Sequence, residues 1–276
     1  MHILVTNDDG VFSPGLLALA QAVRPYGKVT ILAPHRNWSA SGHVKTLDRP
    51  LRLWQETLAD GTIAHTADGS PSDCVALAAM GAVGDHIDLV VSGINNTANL
   101  GHDVTYSGTV TAAMESAINN IPGIAFSLDA GRKSRSEIDF TAANKIAHQI
   151  INTVLQHSIP PNLCLNVNIP DLPADDIKGI RCTRQGLRIY NDNLDQRQDP
   201  RGRDYYWIGG DHPTGVPEPG TDIGALDNGY VSITPLQLDL TAYGTLSHLS
   251  NWYWDRPQRP HTSNPPQPAT TNWAVA

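Results

Sequence analysis

Short apolar runs alternate with helix-like stretches along the first 170 residues of the chain. Four of these runs have the length of a buried strand, and they lie at 3–5, 29–33, 87–91 and 124–126. Helix-like stretches follow Pro14 and Ser107, and a longer one at 138–155 carries isoleucines along one side. A capping pair, Ser70 and Asp73, marks another helix start. This alternation predicts an α/β body built on a mainly parallel sheet.

The composition of the sequence changes after residue 170, where Pro and Gly become frequent. Strand-like segments at 180–190, 205–209 and 230–235 are joined by long loops. We therefore expect a body at 1–170 and a β-rich region with an extended arm at 171–255, part of which can return to the body sheet. The Pro-, Thr-, Asn- and Gln-rich residues 256–276 are typical of a loosely held tail.

Composition and net charge limit the kinds of molecule that this protein is expected to bind. Hydrophobic residues make up 40% of the 276 residues and charged residues 17%, as in an ordinary globular protein. The formal net charge is −8, and a negative surface repels a nucleic acid duplex and an anionic membrane, so neither is an expected partner. A small anionic substrate stays compatible, because a bound cation reverses the local field.

Three cysteines at wide spacings, Cys74, Cys164 and Cys182, favour reduced thiols over a disulfide framework. The N-terminus has neither the basic region nor the long apolar region of a signal peptide. No stretch of the sequence approaches the ~18 apolar residues of a membrane span. These features together predict a cytoplasmic protein.

The most informative motif is Asn7-Asp8-Asp9-Gly10, directly after the first apolar run. Ligands of open α/β sheets bind at the carboxyl ends of the strands. Two adjacent carboxylates repel each other there unless a cation lies beside them, and Mg²⁺ or Mn²⁺ prefers such oxygen ligands. The alternative is a plain turn, because Asn, Asp and Gly are common turn residues.

Three further polar segments follow predicted strands or precede a helix. Residues 92–101 contain Asn95, which could complete a metal shell, and Asn99, which could donate to a phosphate oxygen. Ser107 opens a helix in the segment 106–109, where hydroxyl and backbone N–H groups can hold a phosphate. Ser39, in the segment 37–42, is a candidate weak metal ligand. Each segment alone is compatible with an ordinary turn, loop or helix cap, but all four motifs fall on one edge of the expected sheet.

The sequence lacks the motifs of several common enzyme classes. The sequence contains no P-loop, no GxGxxG after the first strand, no GxSxG and no HExxH. A P-loop NTPase, a nicotinamide-dependent enzyme and a hydrolase with a serine nucleophile are therefore disfavoured.

With these segments in view, the chain resembles the survival protein SurE family of 5′(3′)-nucleotidases over roughly residues 1–245. The segments that carry the resemblance are MHILVTNDDG at 1–10, NWSASG at 37–42, SGIN at 92–95 with the later Asn99, YSGTV at 106–110, LNVNIP at 165–170, TRQGLR at 183–188, DPRGRDYYWIGG at 199–210 and GYVSITPL at 229–236. The resemblance implies a Rossmann-like three-layer α/β/α body and a C-terminal arm exchanged within a homodimer or homotetramer. It also implies hydrolysis of nucleoside 5′- and 3′-monophosphates, with short polyphosphate as a further substrate.

The resemblance assigns roles residue by residue. One divalent metal ion per subunit, Mg²⁺ or Mn²⁺, is implied, and its ligands are Asp8, Asp9, Ser39 and Asn95. The residues implied to face the substrate phosphate are Asn99 and Ser107. Gly108 and Thr109 are further phosphate-binding candidates because of their place at the predicted helix N-terminus. Among them, Asp8, Asn99 and Ser107 are the catalytic candidates. Water attack is the favoured route of hydrolysis, and an aspartyl-phosphate on Asp8 is the alternative.

Three positions depart from the family pattern, which usually has Gly where this chain has Thr97, Thr111 and Ser116. At Thr97 the concern is backbone freedom, because Gly adopts positive φ without cost and Thr does not. Two other functions stay open: a nucleotide-sensing protein without turnover, and a phosphatase for another ester such as a sugar phosphate.

The segment 181–204 mixes arginines with aspartates. Its arginines are Arg181, Arg184, Arg188, Arg197, Arg201 and Arg203. A solvated, salt-bridged arm is one interpretation, and a binding surface for the phosphates of a longer substrate is the other.

Overall fold

A nine-stranded sheet lies at the centre of this computed structural model, which describes residues 1–131, 133–157, 159–160 and 162–252. The described strands are β1 (His2–Thr6), β2 (Lys28–Pro34), β3 (Leu53–Thr57), β4 (Ile63–Ala67), β5 (Leu89–Asn95), β6 (Gly123–Asp129), β7 (Leu163–Pro170), β8 (Ile180–Cys182), β9 (Arg188–Gln198), β10 (Asp204–Gly215) and β11 (Val231–Gln237). The strands β9 and β10 pair with each other as an antiparallel hairpin, and the others form the sheet.

The order of strands across the sheet is β3-β4-β2-β1-β5-β6-β7-β11-β8. The six strands from β4 to β7 are parallel, whereas β3 and β11 run antiparallel to their neighbours β4 and β7. The chain moves from β1 outward to β2 and β4, and then returns to place β5 on the other side of β1. The sheet therefore has its switch point between β1 and β5, where ligands of such sheets bind.

Helices cover both faces of the sheet, as the sequence predicted. The α-helices among the described residues are α1 (Pro14–Val23), α2 (Pro71–Ala79), α3 (Gly108–Ile118), α4 (Thr141–His157), α5 (Asp222–Asp227) and α6 (Tyr243–Ser250). Short 3₁₀ helices lie at Arg24–Tyr26, Gly101–Thr105, Arg135–Glu137 and Ala174–Asp176. The helices α1 and α4 pack on one face, and α2 and α3 pack on the other, which gives the expected three layers.

The capping residues explain where two of these helices start. Ser70 accepts a hydrogen bond from the backbone N–H of Asp73, whose carboxylate accepts one in return from the N–H of Ser70. This capping box starts α2, as predicted from the sequence. Ser107 accepts from the N–H of Val110 at 3.1 Å and starts α3.

The two faces of the sheet differ in chemistry. Strand residues beneath α1 and α4, such as Val5 and Val167, are apolar and belong to the largest hydrophobic cluster. The opposite face becomes polar towards the carboxyl ends of the strands. Its fully buried polar residues include Thr6, Ser92, Ser127, Asn166, Asn168 and Ser232. Buried polar side chains are costly unless they are hydrogen-bonded. Ser127, Asn166 and Asn168 are bonded to Asn99, whereas the hydroxyls of Thr6 and Ser92 have no hydrogen-bond partner among the described residues.

The chain divides into two compact units, residues 1–238 and 239–276. Within the first unit, β8 and β11 join the main sheet, so part of the region after residue 170 does return to the body. The domain boundary expected at residue 170 stays a prediction, and the expected tail at 256–276 lies outside the described residues.

The structure corrects four local expectations. The hairpin of β3 and β4 falls in a stretch for which no strand was predicted, because its polar, half-exposed residues lack an apolar run. The segment 180–190 contains two separate strands, β8 and the start of β9. The helix α5 lies in a region expected to hold only strands and loops, and α4 starts at Thr141 rather than at residue 138. None of the helices in the described part of the chain has the length and hydropathy to cross a membrane.

Candidate active site

The turn after β1 is braced by the side chain of Asn7. Its Nδ2 donates to the carbonyl of Gly10 at 3.1 Å, and the N–H of Gly10 donates to its Oδ1 at 3.2 Å. Gly10 has φ +102°, and a Cβ there would lie 3.3 Å from the backbone of Arg36. The sequence Asn-Asp-Asp-Gly therefore forms a rigid turn that presents Asp8 and Asp9 at the switch point of the sheet.

Asp8 is a buried carboxylate with neutral partners. It is 3% exposed, and the hydroxyl of Thr109 donates to its Oδ1 at 2.5 Å. A Cβ on Gly108 would lie 2.7 Å from the Cβ of Asp8, so only glycine allows α3 to start this close. Burial raises the pKa of Asp8, although the Thr109 hydroxyl and the backbone N–H groups of Gly108 and Thr109 partly offset that effect.

Among the described residues no Lys or Arg pairs with Asp8, so its charge is not balanced by a side chain. A buried carboxylate in this position fits a bound cation. No cluster of three or more His, Cys, Asp or Glu side chains suited to a metal is present in the described ranges. A metal here would therefore rest on the two carboxylates together with neutral hydroxyl and amide oxygens, a donor set that suits Mg²⁺ or Mn²⁺.

The loop 37–42 is tied down on both sides of Ser39. The N–H of Trp38 donates to the carbonyl of Asp8 at 2.7 Å, and the N–H of Gly42 donates to the carbonyl of Tyr106 at 2.9 Å. The hydroxyl oxygen of Thr111 also lies 3.1 Å from the carbonyl oxygen of Gly42. These bonds hold Ser39 beside Asp8 although it lies on an exposed loop.

The same loop is anchored further along by Glu115 of α3. This carboxylate is 2% exposed, with His43 Nε2 at 2.8 Å and Lys45 Nζ at 3.0 Å. Burial alone raises the pKa of Glu115, but the bonds from His43 and Lys45 outweigh it and hold the pKa below its usual range. The loop that carries Ser39 is therefore fixed to α3 by a partly buried charge cluster.

Asn95 ends β5, whose path requires a glycine two residues earlier. Gly93 has φ +127°, and a Cβ there would lie 2.2 Å from the carbonyl oxygen of Phe126. The side-chain Nδ2 of Asn95 donates to the carbonyl of Thr97 at 2.7 Å, which leaves the amide oxygen available as a ligand. Because positive φ among the described non-glycine residues is confined to Ala40 and Asn120, Thr97 does not strain this turn.

Asn99 is positioned by buried polar residues of β6 and β7. Its backbone N–H donates to Asn168 Oδ1 at 2.7 Å, and its carbonyl accepts from Asn166 Nδ2 at 2.8 Å. Its own side-chain Nδ2 donates to Ser127 Oγ at 2.7 Å. None of these three partners was predicted from the sequence, although asparagines at positions 166 and 168 share one face of an otherwise apolar strand.

The remaining family departures, Thr111 and Ser116, have local partners in α3. The Thr111 hydroxyl donates to the carbonyl of Ser107 at 2.8 Å, and the Ser116 hydroxyl donates to that of Ala113 at 2.8 Å. A Cβ on Gly123 would lie 2.3 Å from Ser116 Oγ, so β6 passes close to the helix there. Both hydroxyl groups therefore have hydrogen-bond partners within α3 and its N-cap.

These elements enclose a cavity of about 250 Å³ at the switch point of the sheet. Five of the predicted residues line it, namely Asp8, Ser39, Asn95, Asn99 and Ser107. Asp9 lines a neighbouring cavity. Thr109 is fully buried, and it and Gly108 contact Asp8, so their predicted contact with a phosphate stays a prediction.

Arg188, at the start of β9, also lines this cavity. Its side chain is 13% exposed, and its Nε lies 2.9 Å from Asp103 Oδ2. Tyr190 donates its hydroxyl to the other oxygen of Asp103 at 2.7 Å. Burial, helped by the bond to Asp103, raises the pKa of Tyr190. From the sequence, Arg188 belongs with the other arginines of the segment 181–204, whereas the structure brings its charge to the candidate active site.

Other arginines of the segment 181–204 are paired away from the cavity. Arg184 lies 3.0 Å from Glu218, and Arg197 lies 2.6 Å from Asp195. Arg181 lies over the ring of Tyr230, 3.7 Å from its centroid. For these residues the structure favours a salt-bridged and stacked arm over a phosphate-binding surface.

Comparison with known proteins agrees with the geometry. A model of the family described as Survival protein SurE matches residues 3–192. The chain is 49% identical over 255 residues to a protein of Chloroflexus aggregans named 5′-nucleotidase SurE, which covers 92% of this chain and 100% of that protein. It is 51% identical over 255 residues to a protein of the same name from Herpetosiphon aurantiacus, with 92% and 99% covered.

A solved structure shares the fold. The crystal structure of the Sure protein from Aquifex aeolicus matches with a TM-score of 0.76 at 43% sequence identity. The match covers 91% of this chain and 98% of that one. The three-layer body with its additional strands is thus the architecture of a solved relative.

Proposed function

The chain belongs to the survival protein SurE family, and on that premise we propose that it hydrolyses nucleoside 5′- and 3′-monophosphates to nucleoside and phosphate with the help of a divalent metal. The observation that carries the proposal is the cavity in which Asp8, Asn95, Asn99 and Ser107 meet at the switch point. The names of its relatives as 5′-nucleotidases support the reaction class. Those two relatives are 49% and 51% identical to this chain over 92% of its length.

One Mg²⁺ or Mn²⁺ ion would be held by Asp8, Asp9, Ser39 and Asn95. When bound, such an ion supplies positive charge to the phosphate and makes a water molecule more acidic. The support is the buried, unpaired charge of Asp8 and the hydroxyl and amide oxygens placed around it. Thr109 and the first N–H groups of α3 orient the Asp8 carboxylate from behind.

The phosphate of the substrate would lie between Asn99, Ser107 and Arg188. The hydroxyl of Ser107 accepts from Val110, so its proton is free to be donated to a phosphate oxygen. Asn99 is pre-positioned by the asparagines of β7, so it needs no rearrangement as charge develops. The guanidinium of Arg188 supplies a positive charge on the same side of the cavity.

A carboxylate of the pair Asp8 and Asp9 would accept the proton of the attacking water. Oδ1 of Asp8 is occupied by the hydroxyl of Thr109, which leaves Oδ2 of that residue for the proton or for a ligand. The leaving ribose oxygen takes a proton from solvent at the open side of the cavity. Direct attack by Asp8 on phosphorus is the competing route, and labelled phosphate trapped on the protein after a quench would establish it.

The direct test is phosphate release from a panel of nucleoside 5′- and 3′-monophosphates, ribose 5-phosphate and short polyphosphate. We expect release from the nucleotides with Mg²⁺ or Mn²⁺, and no release after chelation. Faster release from ribose 5-phosphate than from every nucleotide would point to a sugar phosphatase. Nucleotide binding without release under any condition would point to a sensing protein.

The arm formed by β9 and β10 supports a further proposal, a homodimer or homotetramer. An isolated two-stranded hairpin is marginally stable in water, yet this one exposes Leu194, Trp207 and Ile208. Light scattering after gel filtration should give a multiple of the 29.8 kDa chain mass. A monomeric mass at micromolar concentration would contradict the proposal.

A cytoplasmic location is proposed on the cysteines. All three are free, and Cys182 is exposed, which suits a reducing compartment. Cell fractionation is the measurement that checks it.

A further inference from the structure

A second cavity of about 300 Å³ adjoins the candidate active site. Asp9 lies in its wall, and Asn96 lines both this cavity and the one that contains Asn99 and Ser107. The two cavities therefore share Asn96 as a wall residue just past the end of β5. The volume of the second cavity is at the lower end of the ~300–1,000 Å³ range of small-molecule sites.

Two phenylalanines and one isoleucine give the second cavity an apolar wall. Phe12 lies in the turn between Gly10 and α1 and is 64% exposed. Phe140 and Ile138 are half-buried ahead of α4. Burial of a phenylalanine side chain is favourable, so a ring left largely in solvent beside a cavity forgoes that stabilisation until a ligand covers it.

The opposite side of the second cavity carries a fixed polar group, His35. Its Nδ1 lies 3.2 Å from the carbonyl oxygen of Ala67, a contact that fixes the orientation of the ring. The imidazole also packs against Trp54, with ring centroids 5.6 Å apart. The cavity thus combines an exposed aromatic face with a small number of oriented polar groups, which is the usual composition of a ligand pocket.

We propose that this second cavity binds the base of the nucleotide, with the ring of Phe12 stacked on it. The inference rests on the proposed function, because it assumes a phosphate at Asn99 and Ser107. A nucleotide with its phosphate there would pass its ribose along Asn96 and bring the base to Phe12 and Phe140. Because every base has a π-face and stacking tolerates all of them, the site would favour nucleotides over sugar phosphates while discriminating weakly among bases.

The experiment compares kcat/KM for AMP and for ribose 5-phosphate, which differ by the base. We expect wild type to prefer AMP, and Phe12→Ala to lower the ratio of the two values. The expected decrease is roughly 5- to 150-fold, from about 1–3 kcal/mol for stacking of one base on an aromatic side chain. The loss should lie in KM, since stacking is equal in the ground and transition states.

Two further variants separate stacking from general damage. Phe12→Trp keeps an aromatic face and should retain the ratio. Met80→Ala removes another exposed apolar side chain at the end of α2, outside the second cavity, and should leave the ratio as in wild type. A ratio near one in wild type, or one that Phe12→Ala does not change, would overturn the inference while leaving phosphatase activity intact.

Titration with adenosine tests the cavity without catalysis. Adenosine has no phosphate, so its binding measures the nucleoside portion alone. If no ester in the panel is hydrolysed, the proposed function fails, and adenosine then decides about the cavity separately. Binding to wild type that is weakened in Phe12→Ala supports the base site, and absence of binding at millimolar adenosine excludes it.

Discussion

Asp8→Asn will lower metal-dependent phosphate release by roughly 1,000-fold or more, because the charge stabilisation that a metal supplies is worth several kcal/mol. The amide that replaces the carboxylate keeps the shape of the side chain and one oxygen. It removes the negative charge of Asp8, a buried side chain held by Thr109 and the start of α3. The measurement is phosphate release from AMP with saturating Mn²⁺.

The folded state provides the control for this variant. Burial disfavours the charged form of Asp8, so Asp8→Asn should not reduce the free energy of unfolding of the metal-free protein. The rise in melting temperature that Mn²⁺ gives to wild type should be lost in the variant. Asp227→Asn, at the exposed end of α5, should behave as wild type in both assays. Full activity of Asp8→Asn would remove the basis for placing a metal here.

Arg188→Gln will lower kcat/KM for AMP by roughly 100- to 1,000-fold, the loss typical of removing one preorganised donor to the transition state. Arg188 is a cationic side chain in the wall of the phosphate cavity, 13% exposed and fixed by Asp103. Its guanidinium can also bind the product. We therefore expect inhibition by inorganic phosphate to weaken in parallel, which separates a phosphate contact from a purely structural role.

Conservative and matched variants sharpen the test of Arg188. Arg188→Lys keeps the charge but loses the planar fork, so it should recover part of the activity. Arg201→Gln removes an arginine from the turn of the same hairpin and should leave phosphate inhibition as in wild type. Equal inhibition constants for wild type and Arg188→Gln would show that the charge does not reach the phosphate.

The motifs at the strand ends could be located from the sequence because the residues that determine them are close together along the chain. An apolar run followed by Asn-Asp-Asp-Gly fixes both the strand β1 and the turn that ends it, and the parallel arrangement brings Asn95 to the same edge. Ser70 and Ser107 likewise predict the starts of α2 and α3, because each of them caps the helix that follows it. In each case the determining residues lie within a few positions of one another.

The parts of the site that were not predicted from the sequence depend on contacts between distant segments of the chain. Arg188 reaches the cavity through its ion pair with Asp103, 85 positions earlier in the chain. Asn168 and Asn99 are separated by 69 positions, so periodicity could flag Asn168 as unusual without revealing its partner. The hairpin of β3 and β4 was missed because neither β3, at the edge of the sheet, nor its neighbour β4 carries a continuous apolar run.

The contrast between the two faces of the central sheet sets which parts of this protein can be redesigned. Beneath α1 and α4, residues such as Val5 and Val167 interact by shape alone, so one aliphatic side chain can be exchanged for another of similar volume. Beneath α3, Ser127, Asn166 and Asn168 form directional bonds that a substitution of similar volume does not restore. Mutational libraries for thermal stability should therefore target the face beneath α1 and α4, which lies away from the candidate active site.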